Sequence, residues 1–175
     1  MVNMTDFINN DIKPFNLNDS IIEVLDAFEE LNYTHFPIVE NGIYLGCIAA
    51  HDVETFETNQ LLNNYKYALE GFFVRSSMIW IDVLEVFAQN NTNVVPVLDR
   101  ENSYLGYYEI SDVIKFFNNT PFLREQGGII IVQKNSKNYS FSQIVQIVES
   151  NGGNLLGCFI SSIENDLVQI TIKTT

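Results

Sequence analysis

The feature that most restricts how this chain can fold is that part of it is written twice. His35-Phe36-Pro37-Ile38-Val39, a turn at Asn41-Gly42, and Leu45-Gly46-Cys47-Ile48-Ala49-Ala50-His51-Asp52-Val53 return as Val94-Val95-Pro96-Val97-Leu98, a turn, and Leu105-Gly106-Tyr107-Tyr108-Glu109-Ile110-Ser111-Asp112-Val113. By subtraction Pro96 follows Pro37 at an offset of 59 and Gly106 follows Gly46 at 60, so one extra turn residue accounts for the slip. The match runs upstream at the first offset, with Val24-Leu25 over Val83-Leu84, Phe28 over Phe87 and Asn32 over Asn91. Self-similarity of this kind means one supersecondary unit used twice, and it outranks any local propensity.

Each unit reads as strand, helix, strand, strand, helix. In the first, Thr5 to Asn10 is a helical lead-in ended by Pro14, and Phe15 to Leu17 is a short strand. Ser20-Ile21-Ile22-Glu23 forms a capping box opening an amphipathic helix, with Ile21, Val24, Leu25, Phe28 and Leu31 on one face. His35 to Val39 and Tyr44 to Ala49 are strands joined by Asn41-Gly42, which supplies the two positive φ values of a tight hairpin. Asp52 to Leu62 returns to helical spacing, and Leu61 to Glu70 predicts a connecting helix. In the second, the elements are Phe73-Val74, Ile79 to Gln89, Val94 to Leu98, Tyr104 to Tyr108 and Ser111 to Phe117.

Asn118-Asn119-Thr120-Pro121 is the boundary after the second unit. Beyond it Ile129 to Val132 reads as a strand and Lys134 to Asn138 as a loop. Ser140-Phe141-Ser142-Gln143 predicts another capping box, opening a helix that Gly152 and Gly153 stop. Two strands follow, Leu155 to Ile163 and Leu167 to Lys173, with Val168, Ile170 and Ile172 alternating against polar residues. The division expected is 1–60 and 61–120 for the two repeats and 127–175 for a βαββ tail.

Composition narrows the function. A net charge of -13 opposes binding to nucleic acid or anionic membranes, where affinity rests on clustered Lys and Arg. No apolar run reaches transmembrane length and Met1 to Asp11 lacks a secretory pattern, so a cytoplasmic location is expected. Cys47 and Cys158 lie in apolar runs without metal or redox spacing and read as buried hydrophobes. His35 and His51 lack a partner at i±4, which favours structural or pocket-edge roles over a metal site. No nucleophile elbow, phosphate loop or zinc helix occurs, so neither catalytic nor metal-binding residues are expected.

The duplicated helix, apolar-Pro-apolar strand, Leu-Gly strand and closing Asp-Val resemble the cystathionine-β-synthase (CBS) domain, and the pair resembles a Bateman module over roughly Thr5 to Asn118. The tail resembles the first half of an ACT domain, whose full order is βαββαβ. The fold class implied is α/β (α+β). The resemblance also implies dimerisation through helices, and clefts between repeats that bind AMP, ATP, adenosine or S-adenosylmethionine to regulate another protein.

The family's ligand signature runs Gly, two residues, Thr or Ser, two residues, Asp. The hydroxyl caps a helix and touches phosphate, and the Asp holds ribose. Here Gly46 and Asp52 stand in place, but Ala49 replaces the hydroxyl. Gly106 and Asp112 likewise stand in place, but Glu109 replaces it and would point like charge at a phosphate. Adenine would lie against Phe36, Pro37 and Ile38 in one repeat or Val95, Pro96 and Val97 in the other, and Arg75 is the best-placed cation. The same residues also read as plain core and helix-start carboxylates. Two functions follow as expectations: a regulatory sensor of an adenosine compound, or a homodimeric interaction scaffold that has lost the nucleotide. The half-domain tail is expected either to continue into a further helix and strand or to be completed by a neighbouring surface.

Overall fold

Ser20 sets the start of the first long helix. Its Oγ accepts from the Glu23 amide at 3.4 Å while Glu23 Oε2 accepts from the Ser20 amide at 3.0 Å, the reciprocal box the sequence predicts. The helix α1 (Ile21–Glu30) buries Ile21 and Val24 completely. It delivers the chain to an antiparallel hairpin of β1 (His35–Glu40) and β2 (Ile43–Ala49), whose turn residues Asn41 and Gly42 have φ of 52° and 81°. These are the positive values a tight primed turn needs. The computed structural model describes residues 3–175, in two units: one extends to Phe116, the other is Phe117–Thr175.

The helix expected over Asp52 to Leu62 shortens to α2 (Ala50–Val53). Ala49 at its N-cap offers no oxygen, and the Thr55 amide and hydroxyl both turn back onto the Asp52 carbonyl, at 2.9 and 2.7 Å. Such local side-chain bonds compete with helix propagation. The connecting helix expected from Leu61 to Glu70 is a 3-10 stretch, Leu62–Ala68, with a non-helical residue at Tyr65. There the Tyr65 ring stacks on Phe56 at 3.9 Å and its hydroxyl accepts from the Glu57 amide at 3.0 Å. Tertiary contacts hold this segment where propensity alone would run a helix.

The second repeat supplies β3 (Val74–Arg75), α3 (Trp80–Gln89), β4 (Val94–Leu98), β5 (Tyr104–Glu109) and α4 (Ile110–Asn118). Its sheet order is β3-β4-β5, with β3 parallel and β5 antiparallel to β4. In the first repeat the strand expected at Phe15 to Leu17 is a single bridge from Phe15 to Ile38, the counterpart of Val74 on Val97.

The entry segments cross over. Asn9 exchanges both backbone bonds with Tyr107, at 2.9 and 3.0 Å, and Glu70 exchanges both with Cys47, each at 2.8 Å. Each repeat's lead-in therefore pairs with the last strand of the other. This pairing reduces the expected N-terminal helix to a 3-10 turn, Met4–Phe7, because Asn9 gives its backbone to β5. Gly46 and Gly106 lie under the crossings with φ of 153° and 142°. A Cβ on Gly106 would fall 2.5 Å from the Asn9 carbonyl oxygen, and one on Gly46 2.9 Å from Leu69 Cβ. Thr34 and Asn93, related by the offset, close the seam between repeats: the Thr34 amide donates to Asn93 Oδ1 at 2.9 Å and the Asn93 amide to Thr34 Oγ1 at 3.1 Å.

In the second unit a short α5 (Pro121–Arg124) precedes β6 (Gly128–Asn135), α6 (Phe141–Ser150), β7 (Leu155–Glu164) and β8 (Leu167–Thr174). The antiparallel sheet runs β6-β8-β7, and the element order βαββ is that of the tail the sequence predicts. β6 is longer than expected because Gln133 to Asn135 continue to pair, ending at Asn135 against Leu167. The capping box at Ser140 forms on one side: Oγ accepts from the Gln143 amide at 3.5 Å, and its other contact is Ser142 Oγ at 2.8 Å. Val168, Ile170 and Ile172 are buried with Ile144 of α6, whereas Ile129, Ile131 and Phe159 are exposed. Cys47 is fully buried, as expected, but Cys158 is only half-buried, because it lies on the three-stranded sheet under a single helix.

Candidate functional site

The expected apolar-Pro-apolar segments occupy β1 and β4, with Phe36, Ile38, Val95 and Val97 at or near zero exposure and Pro37 and Pro96 buried beside them. Burial on this scale follows from the two-sided packing of short strands between helices and entry segments. Phe36 and Pro37 also line a niche between the repeats, with Ile12, Lys13, Tyr33, Val94 and Tyr107. No space as large as a water molecule is left in it.

Two of its lining residues, Tyr33 and Tyr107, belong to a hydrogen-bonded cluster with Glu109. The Tyr33 hydroxyl donates to Glu109 Oε1 at 2.7 Å and lies 3.4 Å from the Tyr107 hydroxyl, and Ser111 Oγ donates to Glu109 Oε2 at 3.4 Å. Burial, reinforced by these two partners, raises the Tyr33 pKa well above the ordinary phenol value, so Tyr33 stays a donor. Glu109 is thus committed to the chain's own hydroxyls. Asp112, three residues on, receives Lys115 Nζ at 3.0 Å and lines an open groove of about 480 Å³ with Asp6 to Asp11 of the entry segment.

Around the first repeat the arrangement differs. A cleft of about 460 Å³ opens between Tyr33 to His35, the start of α2 (Ala50, His51, Glu54), Glu70 and the Asn90-Asn91 end of α3. His35, 5% exposed, bonds Thr34 Oγ1 through Nδ1 at 2.9 Å and reaches Glu70 Oε1 from Nε2 at 3.4 Å. Burial lowers the His35 pKa, and the neighbouring Glu70 carboxylate opposes that shift. Asp52 lies 3.5 Å from His51 Nε2 and Ala49 is fully buried below the cleft.

Arg75 is placed elsewhere. Its guanidinium donates to the Asp99 carbonyl and, at 2.6 Å, to Asn102 Oδ1, and it stacks 4.9 Å over Phe73. It staples the β4–β5 turn and lines none of these three cavities. The structure adds Lys13, Tyr33, Glu70 and Tyr107, which sequence reasoning missed. Tyr107 lay inside the repeated signature, one residue after Gly106, and its counterpart Cys47 was the available signal. Glu70 carried none, because only the crossing of the entry segments brings it to His35.

The fold and clefts define a tandem pair of βαββα repeats related by a pseudo-twofold, with a three-stranded ACT-like segment after it. The CBS-domain family model matches residues 4–56 and 72–119, and the chain belongs to that family. A CBS domain pair/ACT domain protein from Thermotoga maritima superposes with a TM-score of 0.59 at 17% identity, covering 66% of this chain and 96% of that one. The CBS domains of a transcriptional regulator from Streptococcus pneumoniae give 0.56 at 15%, covering 66% and 98%. CBSX2 in complex with AMP gives 0.54 at 14%, covering 66% and 95%. The Methanocaldococcus jannaschii protein MJ0188 is 24% identical over 115 residues, 65% of this chain. The chain spans 43% of that relative's length. No helix among the described residues is long and apolar enough to cross a membrane.

Proposed function

We propose that this protein is a regulatory CBS pair, not an enzyme, that senses an adenosine compound between its repeats in the cytoplasm and passes occupancy to a partner protein. The division into 1–60, 61–120 and 127–175 is the working unit of that reading. The observation that carries it is the cleft of about 460 Å³ at the first repeat, within the roughly 300–1,000 Å³ typical of small-molecule sites. Its lining holds Glu54, Glu70, His35 and His51 and no Lys or Arg. A ligand with little negative charge fits such walls, so adenosine or S-adenosylmethionine should bind ahead of AMP or ATP. A thermal-shift panel tests this, since a ligand that binds only the folded state raises Tm. A rise with adenosine and none with ATP supports the reading; a larger rise with ATP overturns the charge argument, and no rise with any adenosine compound favours the interaction scaffold.

Homodimerisation through helices belongs to the same reading. Ile22 on α1 and its counterpart Ile81 on α3 are each 52% exposed, and Ile114 on α4 is 55% exposed. Apolar side chains of this size presented on successive helices favour a covering surface. Sedimentation at micromolar concentration should give a dimer that Ile22→Glu with Ile81→Glu splits. In the tail, β6 pairs on one side only and exposes Ile129 and Ile131, so a neighbouring surface is expected to pair or bury it. Slow amide exchange along β6 supports that; fast exchange throughout residues 129–173 opposes it.

A further inference from the structure

The carboxylate that the first-repeat cleft presents is not the one in the repeated signature. Asp52 does not line that cleft of about 460 Å³, and its contact is His51 Nε2 at 3.5 Å. Glu54 and Glu70 do line it. Glu54 follows the end of α2, is exposed, and has no partner for its side chain among the described residues. Glu70 is held at main chain and side chain together. Its amide and carbonyl exchange bonds with Cys47 at 2.8 Å each, and its Oε1 stands 3.4 Å from Nε2 of the buried His35, whose Nδ1 lies 2.9 Å from Thr34 Oγ1. The Glu70 side chain is nevertheless 39% exposed, and no described residue bonds its Oε2. We propose that Glu70 anchors the ligand of this cleft by accepting hydrogen bonds from the vicinal hydroxyls of a sugar, in place of Asp52. That the sugar belongs to an adenosine compound rests on the function proposed above.

The chemistry of the carboxylate selects the sugar. An ionised carboxylate accepts and does not donate, so the proton in the His35 contact sits on Nε2, and the remaining lone pairs of Glu70 face the cleft in need of donors. A vicinal diol brings two O–H donors on adjacent carbons, which suit the two oxygens of one carboxylate. The edges of adenine suit them less: beside the N6 amino donor stands a ring nitrogen that accepts, and an acceptor facing a carboxylate repels it. Because Glu70 is fixed before the ligand arrives, little ordering cost is left to be met on binding.

Titration calorimetry on the full chain tests this with adenosine and with 2′,3′-dideoxyadenosine, which lacks both hydroxyls. The unaltered protein should bind adenosine about 10–100-fold more tightly, as expected for hydrogen bonds to a charged acceptor. Glu70→Gln keeps an acceptor for His35 Nε2 and should bring the two affinities together by weakening adenosine alone, whereas damage to the fold would weaken both compounds alike. Asp52→Asn should keep most of the preference. Equal affinities in the unaltered protein, or a preference that survives Glu70→Gln, overturns the Glu70 assignment and leaves the adenosine-sensing reading standing. A preference lost in Asp52→Asn as fully as in Glu70→Gln overturns the replacement of Asp52. If the unaltered protein binds neither compound, the sensing reading fails and the assignment fails with it.

Discussion

The two repeats share one topology and differ most where they would touch a ligand. Strand for strand they superimpose by offset: Ile38 faces Gly46 as Val97 faces Gly106, and each hairpin shifts register at the next residue. Past the Leu-Gly strand they part. The first repeat reads Cys47, Ile48, Ala49 and continues into the four-residue α2, whereas the second reads Tyr107, Tyr108, Glu109 and continues into the nine-residue α4. Strand pairing and core burial constrain the shared part strongly, since a change there moves every neighbour. Side chains lining a cleft have free space on one side and diverge at lower cost. The comparison shows that duplication preserves the frame and leaves the chemistry of each cleft to vary.

The largest expected effect breaks the frame where the repeats agree. Gly106→Ala combines a φ of 142° with a Cβ only 2.5 Å from backbone, while Gly46→Ala meets Leu69 Cβ at 2.9 Å. Gly106→Ala should cost about 3 kcal/mol and Gly46→Ala somewhat less, because the neighbour at Gly106 is backbone and cannot rotate away. Denaturant unfolding measures both, and equal losses would show the two crossings to be equally tight.

Next come the helix starts. Ser20 caps α1, but the equivalent N-cap of α3 is Ile79, which has no side-chain acceptor although its φ and ψ of -80° and 155° nearly match the -79° and 150° of Ser20. Ser20→Ala should lose about 1 kcal/mol, and Ile79→Ser should gain up to about that amount. A loss at Ile79→Ser would mean that its exposed side chain is covered in the native assembly, which sharpens the dimer proposal.

Tyr108 is 1% exposed, and its hydroxyl has no hydrogen-bond partner among the described residues; its counterpart is Ile48. Removing an unpaired buried hydroxyl costs nothing in bonding, so Tyr108→Phe should be neutral or stabilising by up to about 1 kcal/mol. A clear loss on thermal unfolding would reveal a partner for that hydroxyl.

The smallest effect is a pH dependence confined to the first repeat. His35 stands where the second repeat has Val94, and burial lowers its pKa from 6.5 against the pull of Glu70 and Asp52, with His51 adding to the lowering. A base with a depressed folded-state pKa binds protons more readily when unfolded. Its stability contribution is therefore complete above pH 6.5 and declines as pH falls below that value. His35→Gln should flatten the stability slope below pH 6.5, and an unchanged slope would assign it to other groups.

How much was legible in advance depended on the range of the interaction. The Ser20 box, the Asn41-Gly42 turn and the buried alternation of Val168, Ile170 and Ile172 are settled within a few residues by capping, φ preference and a period of two, and the structure has them all. The repeat itself placed Phe36 to Ile38 and Val95 to Val97 in matching strands. What the sequence could not decide were matters of long-range geometry. Arg75 turned to Asp99 and Asn102 because the β4–β5 turn returns beside β3. The helix after Asp52 stopped at Val53, where Thr55 turns back onto the Asp52 carbonyl, and beyond it Tyr65 returns to accept from the Glu57 amide. Above all, the crossing of the entry segments, which carries Glu70 to His35, and the seam that sets Tyr33 against Glu109 join residues far apart in the chain. Periodicity and capping report only neighbours in sequence; the filled niche between the repeats and the open cleft at the first are set by side chains that meet only once both repeats have packed.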